Sequence, residues 1–98
     1  MKMKKAKTNK EAVELEQIPN VGRAVAEDLR LLGITAPEQL AGQDGLELYH
    51  RLNQVTGARH DPCMADTFLA AVDFMNGGPP RPWWHFTGKR KKLLKDAA

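Results

Sequence analysis

Helix starts and helix stops follow one another so closely along this chain that little room is left for any other regular structure. Thr8 followed by Glu11 is a capping-box spacing, and it predicts a short helix to about Gln17 with Val13 and Leu15 as its apolar positions. Val21, Val25, Leu29 and Leu32 then recur at helical intervals up to Gly33. A second capping box, Thr35 to Glu38 with Pro37 in its first turn, predicts a third helix ending near Gly42. Asp44 with Glu47 opens a fourth, in which Leu48, Leu52 and Val55 share a face beside Tyr49 until Gly57. Asp61-Pro62 opens a fifth, aligning Met64, Phe68, Ala71 and Met75 before Gly77-Gly78. Five helices on short turns imply a compact all-α bundle.

Beyond residue 77 the pattern breaks. Gly77-Gly78-Pro79-Pro80-Arg81-Pro82 cannot continue a helix, and Trp83-Trp84-His85-Phe86 gathers three of the six aromatic residues, giving a Trp-containing C-terminal extension. The basic run Lys89 to Lys92 follows, with a frayed end expected. Charge is divided in the same way. Residues 1–10 hold five lysines and no acid, residues 11–80 hold four arginines against eleven acids, and residues 81–98 hold six cations against one acid. An acidic body with two basic ends is a different object from the uniformly basic one that a net charge of +3 suggests. The expected units are a basic arm over 1–10, a helical domain over 11–87 and a basic tail over 88–98.

At 98 residues the chain is one domain, too small for a two-domain enzyme. No apolar run is long enough to cross a bilayer, and the basic start lacks the apolar stretch of a signal peptide. A single cysteine excludes an internal disulfide and fits the reducing cytoplasm.

The segment Ile18-Pro19-Asn20-Val21-Gly22-Arg23 links the first two expected helices. Pro19 stiffens the exit, Asn20 tolerates a left-handed backbone, Val21 can anchor inward, and Gly22 keeps a Cβ away from any ligand. The amides opening the next helix, at its positive dipole end, then suit a phosphate. With Ala26 and Leu29 further on, this order resembles the hairpin of helix-hairpin-helix proteins, which grip the sugar-phosphate backbone of DNA without reading bases. The resemblance assigns that role to Asn20, Val21, Gly22 and Arg23, with Asn20 departing from the more frequent glycine. The expected partner is therefore DNA, with Lys89, Arg90 and Lys91 adding attraction from the tail. The same turn also serves as a plain corner in protein-interaction modules, so a protein partner for the acidic body is the alternative.

A wider pattern accompanies the hairpin: Asp28-Leu29-Arg30-Leu31-Leu32-Gly33-Ile34, Leu40-Ala41-Gly42, Leu48-Tyr49, Asp61-Pro62-Cys63 and Pro82-Trp83-Trp84. Over about residues 12 to 87 it resembles a small bacterial pathogenicity-locus family, also described as mitomycin-resistance-like. That resemblance implies a helix-hairpin-helix fold similar to the SAM-domain arrangement. Helix-hairpin-helix units usually work with a second copy, and Thr56-Gly57-Ala58-Arg59 is a poor one, so a homodimer is a further expectation.

Cys63 sits at a helix start, which favours a thiolate, while neighbouring Asp61 opposes it; the alternatives are a reactive thiol and a packed small residue. One cysteine and scattered histidines do not make a metal site, and no nucleophile or carboxylate pair is spaced for catalysis, so neither a cofactor nor enzyme activity is expected. Trp83 and Trp84 are expected to cap the core with one indole buried and the other partly exposed; stacking on unpaired bases is the second reading.

Overall fold

The computed structural model describes residues 4–97, with side chains to residue 94; Lys2 of the basic start lies outside the described residues. Within them there are four α-helices, four 3-10 turns and no strand: α1 Arg23–Leu31, α2 Gly45–Thr56, α3 Cys63–Met75 and α4 Thr87–Ala97.

α3 is the centre of the molecule. Ten of its thirteen residues are buried, so its surface is apolar nearly all round, as a helix enclosed by others must be. α2 packs along it most extensively. Their contact begins at Gly45, where a Cβ would stand 2.7 Å from the Leu69 nitrogen and 2.8 Å from its Cα; only a glycine lets the two backbones meet there. α2 is held at its ends as its sequence implies: Asp44 accepts from the amides of Leu46 and Glu47, and Gly57 turns left-handed at φ 67°. α1 lays Ala26 and Leu29 on the core, and the Gly33 and Ile34 amides close its last turn on the carbonyls of Arg30 and Leu29. Arg51 adds a bond to the Leu32 carbonyl.

Two expected helices are shorter and tighter than expected. Residues 8–17 form two separate 3-10 turns, Asn9–Glu11 and Leu15–Gln17, with Ala12 and Glu14 extended between them, so no continuous helical face forms. Leu15 is fully buried and Val13 is 73% exposed. Glu11 accepts from the Lys7 amide, and Thr8 makes no capping bond. The third expected helix is the 3-10 turn Pro37–Leu40, and its start is held by Gln39 rather than Glu38. The Gln39 side-chain Oε1 accepts from the amides of Thr35 and Ala36, as the Gln17 Oε1 does from Val13 and Glu14.

The C-terminal end departs most from expectation. Instead of fraying, residues 87–97 form α4 against α3. Asp66, fully buried on α3, receives the Thr87 hydroxyl at 2.7 Å and the Arg90 guanidinium at 2.8 Å. A buried carboxylate must be paired, and this pairing fixes α4 in place. The boundary at 87/88 therefore coincides with no break in the structure. Nor does that at 10/11, since Ala6 is buried and donates its amide to the Gln17 carbonyl at 2.8 Å.

Candidate nucleic-acid interface

The hairpin between Leu15–Gln17 and α1 is built by three devices. Ile18 and Val21 are fully buried and anchor its two arms, with the Val21 amide bonded back to the Ile18 carbonyl at 3.0 Å. Asn20 takes the left-handed conformation, φ 73°, alone among the described non-glycine residues. The third is Lys5, whose ammonium donates to the carbonyls of Glu16 (2.7 Å), Ile18 (3.1 Å) and Val21 (2.6 Å). One lysine of the basic start thus closes the carbonyl side of the turn, and nothing in the sequence marks it out from its neighbours.

On the other side lie amides. Gly22 caps α1 without any side-chain bond, and the N–H groups of Gly22, Arg23, Ala24 and Val25 meet no protein acceptor among the described residues. Gly22 has an ordinary extended backbone, φ −92° and ψ −171°, and a Cβ built on it meets nothing within 4 Å. The fold makes no demand for glycine at this position. Arg23 projects beside it with its side chain 89% exposed, its Nε 3.3 Å from Glu27 in an open i,i+4 pair.

The residues assigned to the site thus divide. Gly22 and Arg23 face outward, and Val21 faces the core with only its backbone at the turn. Asn20 spends its side chain inside the protein: its amide nitrogen donates to the Arg81 carbonyl at 2.7 Å and its oxygen accepts from the Trp83 amide at 3.2 Å. This tether brings the tryptophan segment to the hairpin, a contact that sequence spacing does not reveal. Arg90 is the correction among the tail cations. It is 12% exposed and committed to Asp66, so it is not available to a polyanion. Lys91 is exposed, and Lys89, also exposed, borders a cavity of about 360 Å³ shared with Asp44, Asp73 and Phe86. Arg81 is paired with Asp73 at 2.9 Å.

Cys63 is half-buried, and its amide donates to Asp61 at 2.8 Å. The hydrogen bond to Asp61, then burial, then the negative charges of Asp61 and Asp66 hold its thiol above the ordinary cysteine range. The same amide keeps the Asp61 carboxyl below the ordinary carboxylate range. This is the opposite of an activated thiolate. The His60 ring bonds the Thr56 hydroxyl at 2.9 Å, and among the described residues no three His, Cys, Asp or Glu side chains are grouped to hold a metal ion. Neither indole is buried: Trp83 is half-buried, Trp84 is 63% exposed, and Phe86 takes the core position expected of a tryptophan, packed on Leu69 and Ala70. No helix among the described residues is long and apolar enough to cross a membrane.

A family model described as "Pathogenicity locus" (Cdd1) matches residues 8–92. The chain belongs to the pathogenicity-locus family. The match takes in the Asn9–Glu11 turn, the hairpin, the tryptophans and the first half of α4, including Arg90. A relative in Streptomyces lavendulae, the mitomycin resistance protein McrB, is 46% identical over 87 residues, spanning 89% of this pathogenicity-locus chain and 83% of its own. No solved structure matches the chain.

Proposed function

We propose that this protein binds the sugar-phosphate backbone of nucleic acid, without sequence preference, through a helix-hairpin-helix centred on residues 18–23. The observation that carries the reading is the open start of α1. Four amides without protein acceptors lie at the positive end of a helix, behind a glycine that nothing inside the fold requires. Arg23, with its side chain 89% exposed, adds a cation beside the turn. In this reading the overall arrangement is similar to a SAM domain, and the protein acts in the cytoplasm as a binder rather than a catalyst. The name of the Streptomyces relative supports placing this activity in mitomycin resistance. Two copies supply the paired hairpins that such proteins use, and the exposed apolar side chains of Leu31 and Val55 favour an interface. The same side chains favour the rival reading, in which the body docks another protein and the hairpin is only a corner.

Gly22→Asp separates the two. An aspartate at this N-cap supports α1, while its carboxylate occupies the approach of a phosphate. Unfolding should move little or upward, and duplex DNA affinity should fall at least tenfold. In the parent protein, log affinity should decline with log salt by about 0.9 per phosphate neutralised. Binding that survives Gly22→Asp unchanged, or no binding to either duplex or single-stranded DNA at low salt, defeats the proposal.

A further inference from the structure

Both tryptophans of the sequence stand beside the hairpin, and the core uses neither fully. Asn20 holds the segment beside the hairpin through its two bonds to Arg81 and Trp83, and Trp84 is the next residue along the chain. The two indoles meet edge to face at 5.6 Å and 86°, which supports one ring against the other and leaves Trp84 63% exposed. A large exposed aromatic in a chain with six aromatics gives up burial that a small core would gain. Phe86 performs that burial instead. Exposed Lys89, Lys91 and Lys92 follow on α4, so the platform continues into positive charge.

We propose that Trp83 and Trp84 form a stacking platform for unpaired bases, and that the protein therefore prefers single-stranded nucleic acid to duplex. The inference rests on the backbone-binding reading above and names the form of the strand it holds. An indole stacks on any base whose face is open, with a gain of roughly 1 to 3 kcal/mol per base. In a duplex those faces are covered by neighbouring pairs, so the platform gains nothing. Polar amides fix the backbone, and the indole selects strands whose bases have come apart.

Because the sequence has only two tryptophans, its tryptophan emission, excited where Tyr49 does not absorb, reports this platform alone. The full chain is titrated with oligothymidylate of about a dozen nucleotides and with a duplex of the same length, a span suited to single-strand binders. Quenching of tryptophan emission and tighter binding of the single strand are expected. Trp84→Ala should lower single-strand affinity by roughly 5- to 150-fold, with duplex affinity and the salt slope unchanged, and Trp84→Phe should restore part of it. Oligouridylate run in parallel distinguishes RNA from DNA as the source of the strand. Duplex binding without single-strand preference, or equal losses on both in Trp84→Ala, overturns the platform and leaves the backbone reading standing. Failure to bind either form at low salt overturns both.

Discussion

At the hairpin, Arg23 extends with its side chain 89% exposed, held only by an open pair to Glu27; near the other end of the chain, Arg90 is 12% exposed and closed on a carboxylate that water does not reach. The two arginines carry the same charge, and the sequence offers both to a polyanion, Arg23 through the hairpin motif and Arg90 through the basic tail. What separates them is the company each finds. Arg90 meets an acid stranded on the apolar helix α3, where a planar guanidinium can neutralise it and fill space, whereas Arg23 stands at a helix start with nothing to neutralise but a solvated glutamate. Arg81 follows Arg90 in closing on a body acid, Asp73. Cations counted along a sequence are thus not cations offered to a ligand. At this C-terminal end the arginines turn inward and the lysines 89, 91 and 92 remain outside.

The contrast is open to direct attack, most strongly at Arg90. Arg90→Ala leaves the Asp66 carboxylate buried and unpaired, and should cost about 3 to 5 kcal/mol, a large share of what a domain this small has. A shift of the urea midpoint at constant slope measures it. Replacing the pair together, Asp66→Leu with Arg90→Met, should recover most of the loss. If Arg90→Ala leaves the midpoint in place and weakens DNA binding instead, the division between inward and outward arginines is lost.

A smaller effect is expected at the N-terminal end. Lys5→Met removes three charge-assisted bonds to hairpin carbonyls, for a loss near the lower end of about 1.5 to 3 kcal/mol because the ammonium is partly solvated. Amide exchange should quicken in residues 18–24 before it does in α3. Uniform acceleration would show that Lys5 serves the whole fold and not the turn. Smallest in energy, though easily seen, is the effect at Cys63. With the thiol held up by Asp61, alkylation at neutral pH should be slower than for an ordinary cysteine and rise only at higher pH. Asp61→Asn removes the leading cause, lowers the thiol toward its usual range and should speed alkylation at neutral pH. An unchanged rate in Asp61→Asn would assign the protection to burial.

α1, α2 and α3 were legible in the sequence because each carries its own instructions: an apolar face at helical spacing, a start residue such as Asp44 and a left-handed stop such as Gly57. The left-handed Asn20 was legible for the same reason. The segment 8–17 misled because a capping-box spacing is a local signal, and the burial of Leu15 against the exposure of Val13 is decided by the core. At α4 the determining contact joins residues 66 and 90, and no window of local sequence contains both. A cue was present in Asp66 itself, an acid set among Ala65, Phe68 and Leu69, which could stay charged only beside a cation from elsewhere. Lys5 and the Asn20 tether had no such cue, since their partners are backbone carbonyls and an amide, which every residue possesses.

Two glycines put the division between folding and binding into a form that a mutational library can read. At Gly45 two backbones touch, and every larger residue must part α2 from α3; at Gly22 the space is empty. Scored by how much protein accumulates in the cell, substitutions at 45 should be depleted while those at 22 pass unnoticed. Scored by retention on a nucleic-acid column, both positions should be intolerant, and the difference between the two scores would draw the outline of the binding surface residue by residue.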